Sequence, residues 1–247
     1  MAHNTVNLLT FFVYTAPMID PIPIFKACPI LGGLPEEAFA ELAPLVRIRP
    51  YRADELIYLP GSMQSQLSIV AEGRVRICSS NAAGREATLA ILDVGAWFGD
   101  TVFSPGMSRV FGATAHDDCV VVDVPGTALR SLLARNPEAY PVALDLVNRR
   151  LWAAMSIIQD DVLRGTEARI GRRLLFLAQM HNPSGVDSGG ASFRLTRELL
   201  ANMMGMTRQG VHAVLKKIEA QGLIEFAYGQ VTIPDISRLQ SYIQALD

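Results

Sequence analysis

The chain has 247 residues, of which 50% are hydrophobic and 19% are charged, and its formal net charge is −2. This composition excludes a disordered chain and allows one large domain or two smaller ones. The charge is divided unevenly, because residues 167–247 hold 9 Lys and Arg against 7 Asp and Glu, whereas residues 1–166 hold 13 against 17. The small positive excess in the C-terminal part predicts only modest nonspecific attraction to a polyanion.

The N-terminus contains one apolar run, residues 8–16. It is too short to span a bilayer and lacks the basic flank of a secretory signal, so we predict a cytoplasmic protein without a membrane partner. A more ordinary sequence starts at Met18. We therefore expect residues 1–17 to be an unstructured extension or to precede the start used in the cell, and we assign residues 1–23 as an N-terminal extension.

Residues 45–125 consist of β-prone runs punctuated by glycines. The intervals between the first four are 12, 11 and 11 residues: Gly61, Gly73, Gly84 and Gly95. Such spacing is typical of short strands joined by turns and predicts an antiparallel jelly roll or barrel. We assign residues 24–136 to this domain, with a short helix in LPEEAFAELAPLV covering its entry.

Residues 137–165 are predicted to form a long helix that ends at a hinge, Gly165-Thr166. Six apolar residues with steps of three and four make one continuous stripe along it: Leu144, Val147, Leu151, Met155, Ile158 and Val162. The stripe either packs on the chain's own roll or forms the seam of a homodimer.

The last segment, residues 166–247, carries the spacing of a helix-turn-helix in TRELLANMMGMTRQGVHAVL. A small Ala201 lets two helices cross closely, and Gly205 permits a positive φ in the turn between them. Val211 and Val214 fall on the core face of the second helix. This pattern points to double-stranded DNA as the partner, with an ordinary amphipathic helix pair as the alternative.

Polar residues around this motif are the candidate DNA-binding residues: Thr196, Thr207, Arg208, Gln209, His212 and Lys216. Thr207 is predicted to cap the second helix, whose first turn presents Arg208 and Gln209 to base edges. Lys216 suits a phosphate, which positions a protein without reading sequence. Because two such helices read a palindromic site, the apolar stripe is better explained as a two-fold dimer seam.

After the second helix, GLIEFAYGQVTIPD contains two short β-prone runs separated by Tyr228-Gly229, which predicts a hairpin. The expected fold class is therefore α+β: an N-terminal jelly-roll β-domain, a long central dimerisation helix and a C-terminal winged helix-turn-helix.

Other chemistries have little support in the sequence. Cys28, Cys78 and Cys119 lie far apart, which argues against a disulfide framework and an iron–sulfur cluster and for buried thiols. The four histidines show no ligand spacing, so no metal site is predicted unless the fold gathers distant residues. No nucleophile elbow, P-loop or H-E-x-x-H occurs, and we predict no enzyme and no catalytic residues.

A sensor module whose helix-turn-helix contacts only protein is the remaining alternative. The polar face of Arg208, Gln209 and His212 separates this alternative from DNA binding, because a protein interface would more often carry apolar anchors there.

From residue 24 to residue 246 the order of parts resembles the CRP/FNR family of bacterial transcription regulators. The matching motifs are WFGD followed by Arg109, ten residues after the Gly; NPE before the long helix; and LTRELLANMMGMTRQGVHAVLKKIEAQGLI. The resemblance implies a cyclic-nucleotide-binding-like effector domain and a dimer bound to a two-fold symmetric promoter site. It makes RNA polymerase a candidate partner and does not identify the small-molecule effector.

The resemblance also marks an effector pocket at seven positions: Gly99, Asp100, Thr101, Arg109, Val110, Ala154 and Met155. In relatives that bind cyclic AMP, a Gly-Glu pair meets the ribose, an Arg-Ser or Arg-Ala pair meets the phosphate, and hydroxyls of the central helix meet the adenine. Here Asp100 is one methylene shorter than Glu, Val110 is bulkier, and neither Ala154 nor Met155 can pair with an adenine amino group.

We therefore expect a weak or absent response to cyclic AMP, although a cyclic nucleotide stays the one suggested ligand class. The alternative without a ligand is that Arg109 pairs with Asp100 or another carboxylate and closes the loop.

The predicted DNA-reading helix departs from the family as well. Many members carry Arg-Glu and a second Arg one turn later, whereas this chain has Arg208, Gln209 and then Ala213. Gln prefers adenine and Ala offers only a methyl contact to thymine, so the half-site should keep one guanine and differ elsewhere.

Overall fold

The computed structural model describes residues 19–63, 65–81, 86–181 and 189–246. The expectations for residues 1–17 lie outside the described residues. The described chain forms a two-sheet roll, a long helix and a C-terminal winged helix-turn-helix, which confirms the predicted α+β class and the order of its parts.

From residue 19 onward, two short α-helices precede the roll: α1 (Pro21–Ala27) and α2 (Glu36–Leu42). The Asp20 carboxylate caps α1 by accepting from the Ile22 backbone N–H at 3.0 Å, and Phe25 of α1 is buried in the roll core. The predicted boundary between extension and roll, at residues 23 and 24, falls inside this helix.

The described part of the roll has eight antiparallel strands: β1 (Arg47–Tyr51), β2 (Leu56–Tyr58), β3 (Gln66–Glu72), β4 (Val75–Ser80), β5 (Glu86–Leu92), β6 (Trp97–Phe98), β7 (Gly112–Ala115) and β8 (Cys119–Pro125). One sheet has the order β1-β8-β3-β6 and the other β2-β7-β4-β5. The run CVVVDVP of β8 is buried along nearly its whole length because it lies inside its sheet, whereas β5, at a sheet edge, carries exposed positions.

One buried carboxylate interrupts the apolar run of β8. Asp123 is 3% exposed, and its Oδ1 accepts from the Ser68 hydroxyl at 2.6 Å. Its Oδ2 accepts from Arg49 Nε at 2.8 Å, and a second guanidinium nitrogen of Arg49 donates to the same oxygen. Asp123 thus connects β8 to β1 and β3 on either side, and all of its partners are at least 55 residues away in sequence.

Two helices follow the roll: α3 (Gly126–Arg135) and α4 (Tyr140–Leu163). The first turns of α4 lie on the roll, since Ala143 is buried in its core and Leu146 and Val147 pack against that core. Beyond these turns, α4 leaves the roll with most of its side chains exposed.

After α4 the chain crosses Gly165 and enters α5 (Thr166–His181). The role of Gly165-Thr166 as a hinge stays a prediction. Ion pairs bridge the crossing. The Asp160 carboxylate accepts from Arg164 Nε at 2.9 Å and from Arg172 Nε at 2.8 Å, so the end of α4 is tied to the second turn of α5.

The remaining elements are β9 (Ala191–Arg194), α6 (Arg197–Met204), α7 (Arg208–Ala220), β10 (Glu225–Ala227), β11 (Gln230–Ile233) and α8 (Ile236–Gln244). The strands pair antiparallel in the order β10-β11-β9. Together with α5 they enclose a second apolar core, which includes Leu174, Leu200 and Ile218. Helix α6 also packs against β5 of the roll.

Candidate nucleic-acid interface and effector pocket

The turn between α6 and α7 has the geometry that its sequence predicts. Gly205 ends α6 in the left-handed region at φ 62°, and the Met206 backbone N–H donates to the Ala201 carbonyl at 2.9 Å. Ala201 is buried in the core of the domain. The pair is therefore a helix-turn-helix with a glycine C-cap.

Helix α7 divides into a buried face and an exposed face. The Thr207 hydroxyl accepts from the Gly210 backbone N–H at 3.1 Å, which confirms it as the N-cap. Val211, Leu215 and Ile218 are buried in the domain core. This packing fixes which side chains of α7 face outward.

Three predicted DNA-binding residues, Arg208, Gln209 and Lys216, have exposed side chains on α7. His212 is half-buried, and its imidazole Nδ1 is buried without a hydrogen-bond partner among the described residues. The sixth candidate, Thr196, caps α6 by accepting from the Leu199 backbone N–H at 3.1 Å. Two of the candidates are thus helix caps and three are exposed on α7, and the contact of all six with DNA stays a prediction.

The hairpin of β10 and β11 closes through Tyr228 and Gly229, as the sequence predicts. Both residues have positive φ, 50° and 73°, which is the pattern of a type I′ turn. Phe226 of β10 is buried, and the guanidinium of Arg197 lies 4.5 Å from the centre of its ring. The wing is thereby attached to the first residue of α6.

In the predicted effector pocket, Gly99 adopts φ 93° at the end of β6. A Cβ built there would lie 2.4 Å from the Gln66 carbonyl oxygen and 3.5 Å from two guanidinium nitrogens of Arg109. Only glycine fits this position without a backbone shift. The structure therefore brings Gly99 and Arg109 together, as the resemblance implies.

Arg109 is only 3% exposed. Its guanidinium lies 3.7 Å from the centre of the Tyr58 ring, and its Nη2 is 3.5 Å from the Gln66 carbonyl oxygen. The Arg109 backbone is also held, because its N–H donates to the Ser62 carbonyl at 2.9 Å. The neighbouring Val110 is 70% exposed.

Asp100 begins a 3-10 turn, Asp100–Phe103, which also contains Thr101. Arg150 Nη1 of α4 donates to the Asp100 carboxylate at 2.9 Å, and the guanidinium lies 3.4 Å from the centre of the Trp97 ring. The sequence assigned no role to Arg150, so this contact was not predicted. The pair Arg149-Arg150 and the aromatic Trp97 beside the pocket motif are the sequence features that could have indicated a contact between Arg150 and this loop.

The two central-helix positions of the predicted pocket, Ala154 and Met155, have exposed side chains on α4. Five residues of the predicted seam are exposed as well: Leu144, Leu151, Met155, Ile158 and Val162. The sixth, Val147, is half-buried against the roll core. Most of the stripe is thus exposed to solvent and does not pack on its own roll. Val147 lies partly against the roll core and partly in solvent.

The three cysteines are buried, and burial raises the pKa of the Cys28 thiol to about 12 and that of Cys119 to about 11. Within the described ranges, no group of three His, Cys, Asp or Glu side chains is placed to hold a metal ion. In the same part of the chain, each helix is too short or too polar to cross a bilayer.

Two family models match the chain, a cyclic nucleotide-binding domain at residues 48–136 and a Crp-like helix-turn-helix domain at residues 168–242. A "CRP-like cAMP-activated global transcriptional regulator" of Mycobacterium tuberculosis is 29% identical over 214 residues, covering 85% of this chain and 94% of the relative. The "Cyclic AMP receptor protein" of Thermus thermophilus is 28% identical over 216 residues, covering 87% and 96%.

Among solved structures, FixK2 from Bradyrhizobium japonicum superposes with a TM-score of 0.67 at 21% identity, covering 82% of this chain and 97% of that chain. At this identity the likeness shows the shared fold.

A cyclic-nucleotide-binding-like roll joined by a long helix to a winged helix-turn-helix defines a class of DNA-binding transcription regulators. The chain belongs to the CRP/FNR family within that class.

Proposed function

We propose that this protein binds a two-fold symmetric promoter site as a homodimer and reads each half-site with Arg208 and Gln209. The observation that carries the proposal is the exposure of both side chains in the capped first turn of α7, while the opposite face of the helix is locked in the core. An Arg in this position can pair bidentately with guanine, and a Gln with adenine.

Selection from randomised duplexes tests this proposal. We expect a palindromic motif whose two halves are separated by about one helical turn, 10 to 10.5 base pairs from centre to centre. Each half should contain one guanine and depart from the consensus of relatives at the position facing Ala213. Recovery of unrelated sequences without symmetry would contradict the proposal.

The homodimer is proposed from the exposed stripe of α4. Five large apolar side chains that repeat along one helix face are stabilised when they pack against a second copy of the same face. Val147 packs against the roll core and helps to hold the start of α4 on the roll.

Placing charges in the seam should separate the protomers. We expect the double variant Leu151→Glu and Ile158→Glu to sediment as a monomer at concentrations where the native chain is a dimer, because each glutamate would be buried without a partner. The matched control is Asn148→Glu, at an exposed position off the stripe, which should leave the mass unchanged. A dimer that survives the double substitution would place the interface elsewhere.

For the effector, one relative is named as cyclic AMP-activated and another as a cyclic AMP receptor, which makes a cyclic nucleotide the first candidate. We propose that cyclic AMP binds weakly or not at all. Asp100 is held by Arg150, Arg109 lies on Tyr58, and the exposed central-helix positions Ala154 and Met155 offer no hydrogen-bonding side chain.

Calorimetry of the purified protein with cyclic AMP and cyclic GMP should therefore show no micromolar binding. A buried adenine donor without a partner costs about 1 to 3 kcal/mol, or roughly ten- to a hundredfold in affinity. A low-micromolar isotherm that disappears in the Arg109→Ala variant would overturn this part of the proposal.

A further inference from the structure

The central helix carries an exposed tryptophan outside the apolar stripe. Trp152 of α4 is 71% exposed. Tryptophan has a large apolar ring and is enriched among the residues that dominate protein interfaces. A ring of this kind in water is therefore a candidate contact for a second molecule.

Trp152 and the roll of its own chain lie on opposite flanks of the stripe. At 100° per residue, the stripe lies within about 40° of Leu151 on either side. Trp152 lies about 100° away on one flank, and Arg150 lies about 100° away on the other. The flank of Arg150 faces the roll, because Arg150 pairs with Asp100 and Ala143 on the same flank is buried in the roll core. Trp152 is therefore on the flank that faces away from its own roll.

A two-fold axis along the stripe would place the roll of a second copy on the flank of Trp152. The axis reverses every direction perpendicular to it, so the roll on the Arg150 flank of one helix comes to lie on the Trp152 flank of the other. Heights along the axis do not change. Trp152 is two residues, or about 3 Å, beyond Arg150, and it therefore lies level with the loop of the second copy that contains Asp100.

The roll has an apolar surface beside this loop. Arg109, which lies next to Gly99, joins two loops, because its carbonyl accepts from the Gly61 N–H at 2.7 Å and its N–H donates to the Ser62 carbonyl. Several large apolar side chains of the two loops are exposed, and a group of this kind is typical of an interface. We call this group the loop patch: Leu59, Met63, Met107, Val110 and Phe111.

We propose that Trp152 of each protomer packs on the loop patch of the other protomer and closes the space beside Arg109 with protein. The inference rests on the proposed homodimer. It adds both rolls to an interface that otherwise consists of one helix from each chain. Removal of the indole and of the loop patch from water stabilises the dimer. Neither roll is then complete without the second copy.

Cysteine pairs across the interface test this contact. The three native cysteines are buried and should not react. In the full chain with both Trp152→Cys and Val110→Cys, a short bismaleimide should join two chains, and a covalent dimer should run on a denaturing gel. A cross-link within one chain would leave a monomer on the gel. That result would overturn the inference, because it would place Trp152 on its own roll.

Three control variants locate the cross-link. Neither Trp152→Cys nor Val110→Cys alone should give a covalent dimer, since the axis places the two copies of each residue on opposite sides of the seam. The pair Trp152→Cys and Glu72→Cys should also stay monomeric on the gel. Glu72 is exposed at the far end of β3, about 20 Å along the strand from Gln66, which lies beside Arg109. Equal yields from the Glu72 and Val110 pairs would contradict a specific contact.

The fluorescence of Trp152 provides a test without cysteines. The chain has two tryptophans, and Trp97 is buried in the roll. The difference between the spectra of the native chain and of Trp152→Phe is therefore the emission of Trp152. In the native dimer this emission should lie at shorter wavelength and resist quenching by acrylamide. In the monomer made by Leu151→Glu and Ile158→Glu it should be that of an indole in water, and equal behaviour in dimer and monomer would sink the inference.

The Trp152→Ala variant measures how much the contact stabilises the dimer. Its dissociation constant should rise about thirtyfold or more, which is the effect of losing one dominant interface residue. The circular dichroism of the variant should stay native, since the ring is exposed within one chain. An unchanged dissociation constant would overturn the inference.

Sedimentation separates this inference from the proposed homodimer. If the native chain sediments as a monomer, the homodimer fails and the contact fails with it. If the native chain is a dimer that the seam substitutions dissociate, while the cysteines at positions 152 and 110 are not joined, only the contact between Trp152 and the loop patch fails.

Discussion

The Arg208→Ala variant is expected to bind the selected DNA site about 1 to 3 kcal/mol more weakly than the native protein and to tolerate any base at one position of each half-site. The Arg208 side chain is exposed in the first turn of α7, and Thr207 and the buried face hold that turn in place. Its removal should therefore cost a contact with a base and leave the fold unchanged. Fluorescence anisotropy with the native site and single-base variants measures both effects.

Lys216→Ala is the matched control on the same exposed face of the helix. It should weaken binding to every sequence about equally and lower the salt dependence by about one released ion per protomer. If Arg208→Ala selects the same motif as the native chain, the reading role belongs to another residue. Lys217 is less suitable as a control, because its ammonium lies 3.8 Å from the Glu167 carboxylate.

Loss of the Asp123 carboxylate should have the largest effect on the stability of the roll. We expect Asp123→Ala to lower the free energy of unfolding by about 3 kcal/mol, at the low end of the range for breaking a buried ion pair. The substitution leaves the Ser68 hydroxyl buried without its acceptor, while the partly exposed Arg49 can regain water. Urea unfolding at neutral pH measures the change.

A surface ion pair provides the comparison for this variant. Asp145 pairs with Arg149 one turn away on α4 at 2.7 Å, and both side chains are mostly exposed. Asp145→Ala should change the free energy of unfolding by less than about 0.5 kcal/mol. If the two aspartate substitutions change the free energy of unfolding equally, burial of Asp123 does not add to the stability of the roll.

Local patterns predicted the helix-turn-helix well because each part depends on nearby residues. Gly205 needs a positive φ, Thr207 caps the helix three residues ahead, and Tyr228-Gly229 closes a two-residue hairpin. In each case the controlling interaction spans only a few positions, so that residue type and spacing were sufficient.

Contacts between distant segments could not be predicted in this way. Asp123 stands in an otherwise apolar strand, and its partner Arg49 is 74 residues away. Arg150 is 50 residues from Asp100 and reaches it only because the start of α4 packs against the roll. The resemblance identified Asp100 and Arg109 as pocket residues, but the groups that hold them, Tyr58 and Arg150, depend on the three-dimensional path of the chain.

The homodimer proposed for the exposed apolar stripe on α4 would link the stability of this protein to its abundance. When chains fold only as dimers, a higher concentration of protomers stabilises the folded state by mass action. A tenfold dilution then lowers the free energy of unfolding by about 1.4 kcal/mol per dimer. The melting temperature should accordingly depend on the concentration at which it is measured. In a cell, a scarce supply of chains would leave Leu151 and Ile158 in water and reduce the number of molecules able to occupy a promoter, before any signal reaches the roll.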